Sequence, residues 1–93
     1  MSNQEIKAAI LKILKKYPVS KASLFGSFVR NQQNDASDID ILIETKQAVT
    51  LFDILNMERE ISETTKRKTD IVEFSAIKAS LRENIMRDAV SIL

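Results

Sequence analysis

Residues 24–44 read LFGSFVRNQQNDASDIDILIE, and this stretch decides the fold. Its second half alternates acid and aliphatic: Asp38, Ile39, Asp40, Ile41, then Leu42 and Ile43. In a strand, residues i and i+2 point to the same face. A strand over 38–44 therefore carries Asp38 and Asp40 on one face and Ile39, Ile41 and Ile43 on the other. Like charges side by side on a strand repel, so the fold gains nothing from this pair alone. A divalent cation removes the repulsion. Carboxylates offered singly or in pairs, with water and substrate phosphates completing the shell, suit Mg²⁺. A third acid, Asp70, stands in a second β-like run from Thr69 to Phe74. If that strand lies beside the first, Asp70 joins the same site.

The first half of the stretch ends an apolar run, Leu24-Phe25, in Gly26-Ser27. Glycine lets a backbone approach a ligand closely and adopt positive φ. A strand feeding a helix N-terminus offers unpaired N–H groups to an anion. With paired acids following at this distance, the expected anion is a nucleotide phosphate.

Gly26-Ser27, ten residues, then Asp38-Ile39-Asp40 resembles the G-S-x10-D-x-D signature of the DNA polymerase β-like nucleotidyltransferase superfamily. Within it, the chain most resembles the minimal nucleotidyltransferases, the MntA-type antitoxins encoded beside HEPN toxins. Leu24-Phe25, Arg30, Ser37, Glu44, Asp70-Ile71-Val72 and the stretch Leu81 to Ile85 all fit that pattern. One position departs: Asn31 stands where the family commonly has Gly, and Asn also tolerates the left-handed conformation. The resemblance implies an α/β (α+β) fold, a small mixed three-stranded sheet flanked by helices. It implies that Asp38, Asp40 and Asp70 are catalytic and bind two Mg²⁺ ions. Gly26, Ser27 and Arg30 would bind the nucleotide, with ATP as substrate.

Composition narrows the alternatives. The 93 residues are expected to form one domain, 1–93, with a single core. Acids and bases nearly cancel, at net charge +1, so a dedicated nucleic-acid binder is not expected. There is no Cys and no His. Disulfides, thiolate or imidazole metal sites and Ser-His-Asp hydrolysis are therefore excluded. No apolar run approaches a membrane span and no signal-peptide pattern opens the chain, so a cytoplasmic location is expected. The apolar content admits a dimer or a hetero-complex without requiring either.

The remaining elements follow from periodicity. Ser2 and Glu5 form a capping box for a helix over 2–16, with Ile6, Ala9, Ile10, Ile13 and Leu14 as its stripe. Pro18 ends it, and the sole Tyr, Tyr17, is expected to pack there. Residues 19–26 read as a strand, 27–33 as a short helix or turn, and 31–37 as a polar loop. Thr50 and Asp53 cap a helix over about 50–65 with a partial stripe of Leu51, Ile54, Leu55, Glu58 and Ile61. Lys66-Arg67-Lys68 reads as a solvated turn that could also attract a triphosphate. Ser80 and Glu83 form a further capping box for a last helix striped by Leu81, Ile85, Ala89 and Ile92.

The resemblance further implies a reaction: transfer of AMP from ATP to a hydroxyl, a Tyr, of a cognate HEPN RNase toxin, which neutralises it. Two other functions stay open at this stage. One is an antitoxin that acts by covering its partner without catalysis. The other is nucleotidyl transfer to a small molecule or an RNA end.

Overall fold

Three–four spacing of apolar residues gives way to alternation at Pro18, and the chain changes from helix to strand there. A computed structural model describes residues 1–26 and 38–93. Ser27, Arg30, Asn31, Asp35 and Ser37 lie outside the described residues, as do the short helix and polar loop expected between the first two strands. Helix α1 (Asn3–Leu14) opens on the expected box: Ser2 Oγ accepts from the Glu5 N–H, and Glu5 Oε1 accepts from the Ser2 N–H. Helix α2 (Leu51–Thr65) opens on the same reciprocal arrangement between Thr50 and Asp53.

Strand β1 (Val19–Phe25) is antiparallel to β2 (Ile39–Thr45), with Phe25 opposite Asp40. Strand β3 (Thr69–Glu73) runs parallel to β2 on its far side, with Asp70 opposite Asp40. A two-residue strand β4 (Val90–Ser91) pairs with the outer edge of β1, so the order is β3-β2-β1-β4. The sheet is mixed, as expected, but among the described residues it has four strands against an expected three. Two residues are too few to leave an alternation in the sequence. The pairing is made by backbone groups: the Ile92 and Leu93 N–H groups donate to the Ala22 carbonyl at 2.9 and 3.2 Å.

One face of the sheet is covered by α1 and α2. Ile6, Ile10, Ile13 and Leu14 of α1 and Met57 and Ile61 of α2 pack with Ala22, Leu24, Ile39, Ile41, Ile43 and Ile71. Tyr17 packs against this core from the end of α1. Lys16 Nζ reaches Glu60 Oε1 of α2 at 3.0 Å, an exposed pair that adds little beside the burial. The inner stripe of α2 differs from the expected one. Leu51 and Leu55 are exposed, and Met57, Ile61 and Thr65 are buried with Ile54 at the margin. Position 57 lies on the face that the sheet approaches, which propensity along the helix alone does not reveal.

The last helix, α3 (Ala79–Asp88), departs further. Its N-cap is Lys78 with no side-chain cap, so the Ser80–Glu83 box does not form. Ser80 falls inside the first turn because the chain is placed earlier, by buried Ile77 and by Arg82. The Arg82 Nε–H donates to the Ile77 carbonyl at 3.1 Å, and its guanidinium lies over the Phe74 ring at 4.9 Å. None of the residues of α3 is buried, Leu81 is half-exposed, and Ile92 packs on the core from beyond the helix. Among the described residues no helix is long and apolar enough to cross a membrane.

Candidate active site

The site lies where β1 ends and where β2 and β3 begin. Ile39, Ile41 and Ile43 are fully buried and Ile71 nearly so, all toward α1 and α2. Alternation then turns Asp40 and Asp70 to the opposite, open face. Each buried Ile contributes about 1.5–3 kcal/mol, whereas like charges facing across strands cost at most about 1 kcal/mol. The aliphatic residues therefore decide the register. A slip by one residue would send the acids into the core and the isoleucines out of it.

Asp70 stands directly opposite Asp40 in the parallel pair. Asp38 immediately precedes β2, two residues before Asp40. Asp40 sits between the other two acids, and its carboxyl is held above its ordinary range. Burial is the largest cause, followed by the charge of Asp70 and then that of Asp38; Lys68 opposes all three. Lys68 lies two residues before Asp70, immediately ahead of β3. The expected solvated turn at 66–68 thus divides. Lys66 ends α2 in the left-handed conformation, and Lys68 provides the cation beside Asp40.

Gly26 closes the site from β1. Its φ is +77°, and a Cβ built there would collide with Asp40 Oδ2 and lie 3.3 Å from Asp40 Cγ. Glycine is required twice over, by the backbone conformation and by the carboxylate seated against it.

These residues fit Mg²⁺ by their chemistry. Among the described residues no side-chain hydrogen bond or salt bridge reaches the carboxylates of Asp38, Asp40 or Asp70, and Asp40 is partly buried among like charges. Among the described residues no group of three or more acids is placed to hold one metal ion by itself. Asp40 stands opposite Asp70 and feels the charge of Asp38, and carboxylates offered singly or in pairs suit an ion that keeps water and phosphate oxygens in its shell.

Of the six site residues expected, the structure brings Gly26, Asp38, Asp40 and Asp70 together, and Ser27 and Arg30 lie outside the described residues. Two contributors were not singled out from the sequence. Lys68 reads from the sequence as one of three consecutive solvated bases, although it stands two residues before Asp70. Glu58 falls in the apolar stripe that the spacing of α2 gives, where its charge is the anomaly. Its Oε2 accepts from the Ile71 N–H at 2.7 Å.

Residues 8–93 match the family described as polymerase beta, nucleotidyltransferase. The chain is 38% identical, over the full length of both proteins, to MJ0435 of Methanocaldococcus jannaschii, provisionally named a protein adenylyltransferase. Its fold is shared by a toxin–antitoxin structure with AMP-PNP, at TM-score 0.84 and 18% identity, over 94% of this chain and 72% of that one. It is shared also by a complex of a tri-AMPylated Shewanella oneidensis HEPN toxin with its MNT antitoxin. There the TM-score is 0.80 at 16% identity, over 99% of this chain and 72% of that one.

Proposed function

Because the chain belongs to the polymerase beta nucleotidyltransferase family, we propose that it is an antitoxin that transfers AMP from ATP to a Tyr hydroxyl of a cognate HEPN toxin. The observation that carries this reading is the rung on which Asp40 and Asp70 face each other, with Gly26 seated against the Asp40 carboxylate. The provisional name of the M. jannaschii relative supports protein as the acceptor, and the AMPylated toxin bound to an antitoxin of this fold supports the partner. Exposed Leu51, Phe52, Leu81, Met86 and Val90 offer apolar surface to such a partner. The same reading places the protein in the cytoplasm, as one domain spanning 1–93.

In this mechanism Asp38 and Asp40 would hold Mg²⁺ together with the nucleotide phosphates, and Asp70 would contribute to holding a second ion. The chemistry Mg²⁺ supplies when bound is neutralisation of charge on the attacking and leaving oxygens of an in-line displacement. Asp70, on the edge strand opposite Asp40, orients the acceptor hydroxyl and can take its proton. The hydroxyl oxygen bonds to the α-phosphorus as the bond to the bridging oxygen breaks, and pyrophosphate leaves. Gly26, lacking a side chain, lets the backbone approach the phosphates, with Ser27 and Arg30 as further contacts.

The test is the intact mass of the cognate toxin after incubation with this protein, Mg²⁺ and each NTP in turn. The expected result is an increment of one or more AMP groups with ATP only, absent with Asp38→Asn/Asp40→Asn. A stable complex with unchanged toxin mass would instead establish an antitoxin that acts by binding.

A further inference from the structure

Strand β3 carries Asp70 at the edge of the sheet. β2 binds one side of it, and its other side approaches α2. In a strand paired on one side only, alternate residues turn their N–H groups outward. Ile71 is such a residue, and its N–H donates to Glu58 Oε2 at 2.7 Å. The bond is partly buried and its acceptor is a carboxylate, the stronger class of backbone hydrogen bond. The Ile71 side chain enters the core with Met57 and Ile61, which flank Glu58 on α2. Ile71 is therefore gripped twice by neighbouring turns of one helix. Asp70, the preceding residue, has neither hold. Its carboxylate lies on the open face, opposite a like charge.

We propose that Glu58 is a positioning residue for nucleotidyl transfer: through the Ile71 N–H it clamps the edge strand and keeps Asp70 opposite Asp40. This rests on the function proposed above, with Asp70 serving the acceptor hydroxyl. The clamp acts on Asp70 and not on the phosphate contacts at Gly26, so its loss lowers the rate of the chemical step and spares nucleotide binding. The accepting oxygen is what holds the strand and the negative charge only strengthens the bond, because a glutamine Oε1 accepts from the same N–H.

Two variants, Glu58→Gln and Glu58→Leu, test this by two independent readouts. The first is hydrogen exchange at the Ile71 amide. The second is the kcat and KM for ATP in AMP transfer to the cognate toxin. With Glu58→Leu, exchange at Ile71 rises about tenfold or more and kcat falls about tenfold or more, while KM for ATP stays within about twofold. With Glu58→Gln both quantities return to within about threefold of the parent protein. Unchanged exchange and kcat in Glu58→Leu would overturn the clamp. A Glu58→Gln variant as impaired as Glu58→Leu would also overturn it, by assigning the effect to charge. If the parent protein transfers no AMP, the proposed function fails. The exchange readout then still decides whether Glu58 holds β3.

Discussion

A methyl group on Gly26 would collide with Asp40 Oδ2. The end of β1 and the start of β2 are thereby fitted to each other at the point where charge is concentrated. Neither residue alone explains the site: Asp40 needs the space that Gly26 leaves, and Gly26 has the positive φ that brings its backbone there.

Gly26→Ala is expected to damage both fold and reaction. An alanine at positive φ costs about 1–2 kcal/mol, before any displacement of the Asp40 carboxylate. Urea unfolding should show that loss, and AMP transfer should fall about tenfold or more as Asp40 is pushed aside. A variant with parental stability and rate would show that the close contact is unimportant.

Asp40→Asn should separate stability from activity. The Asp40 carboxyl is held above its ordinary value, first by burial, so the folded state binds more protons than the unfolded state between the ordinary and the raised value. Stability contributed by protonated Asp40 is present below the ordinary value and is lost as pH rises through the raised one. At neutral pH without divalent ions, Asp40→Asn is therefore expected to melt higher than the parent. The difference should vanish in acid. Transfer should drop roughly a hundredfold or more. Mg²⁺ should raise the melting temperature of the parent and leave the variant nearly unmoved, which thermal melts with and without EDTA will show.

The neighbours of Asp40 make opposite predictions for its titration, read by carboxyl NMR without metal. Asp70→Asn removes the largest like charge and should lower the Asp40 midpoint toward the ordinary range. Lys68→Gln removes the opposing cation and should raise it. Shifts of the same sign in both variants would contradict the arrangement.

Lys66 is the non-glycine residue at positive φ among the described residues, at +59°, where it ends α2. Lys66→Gly should relieve this strain and stabilise the protein by about 1 kcal/mol in urea unfolding. Its N–H bond to the Ser62 carbonyl, at 2.8 Å, is retained by any residue with a backbone N–H.

Local spacing by itself determined much of this protein. The reciprocal caps at Ser2 and Thr50, the α1 stripe and the strand around Ile39-Asp40-Ile41 are all short-range patterns, and each appears in the fold. The alternation of Asp40 with Ile39 and Ile41 sufficed to turn the carboxylate away from the core, because burying isoleucine outweighs repulsion between half-buried acids. The last helix was legible, but its cap, its exposure and the two-residue β4 were not. α3 buries no residue to mark its periodicity, and β4 is held by backbone bonds to Ala22 that any side chain permits. Only the tertiary structure decided that β3 lies parallel to β2 with Asp70 opposite Asp40, that Gly26 meets the Asp40 carboxylate, and that Glu58 holds the edge at Ile71. Those relationships join residues far apart in the chain. They depend on strand register and helix placement, which are set by packing the whole core and leave no trace in the spacing of neighbours.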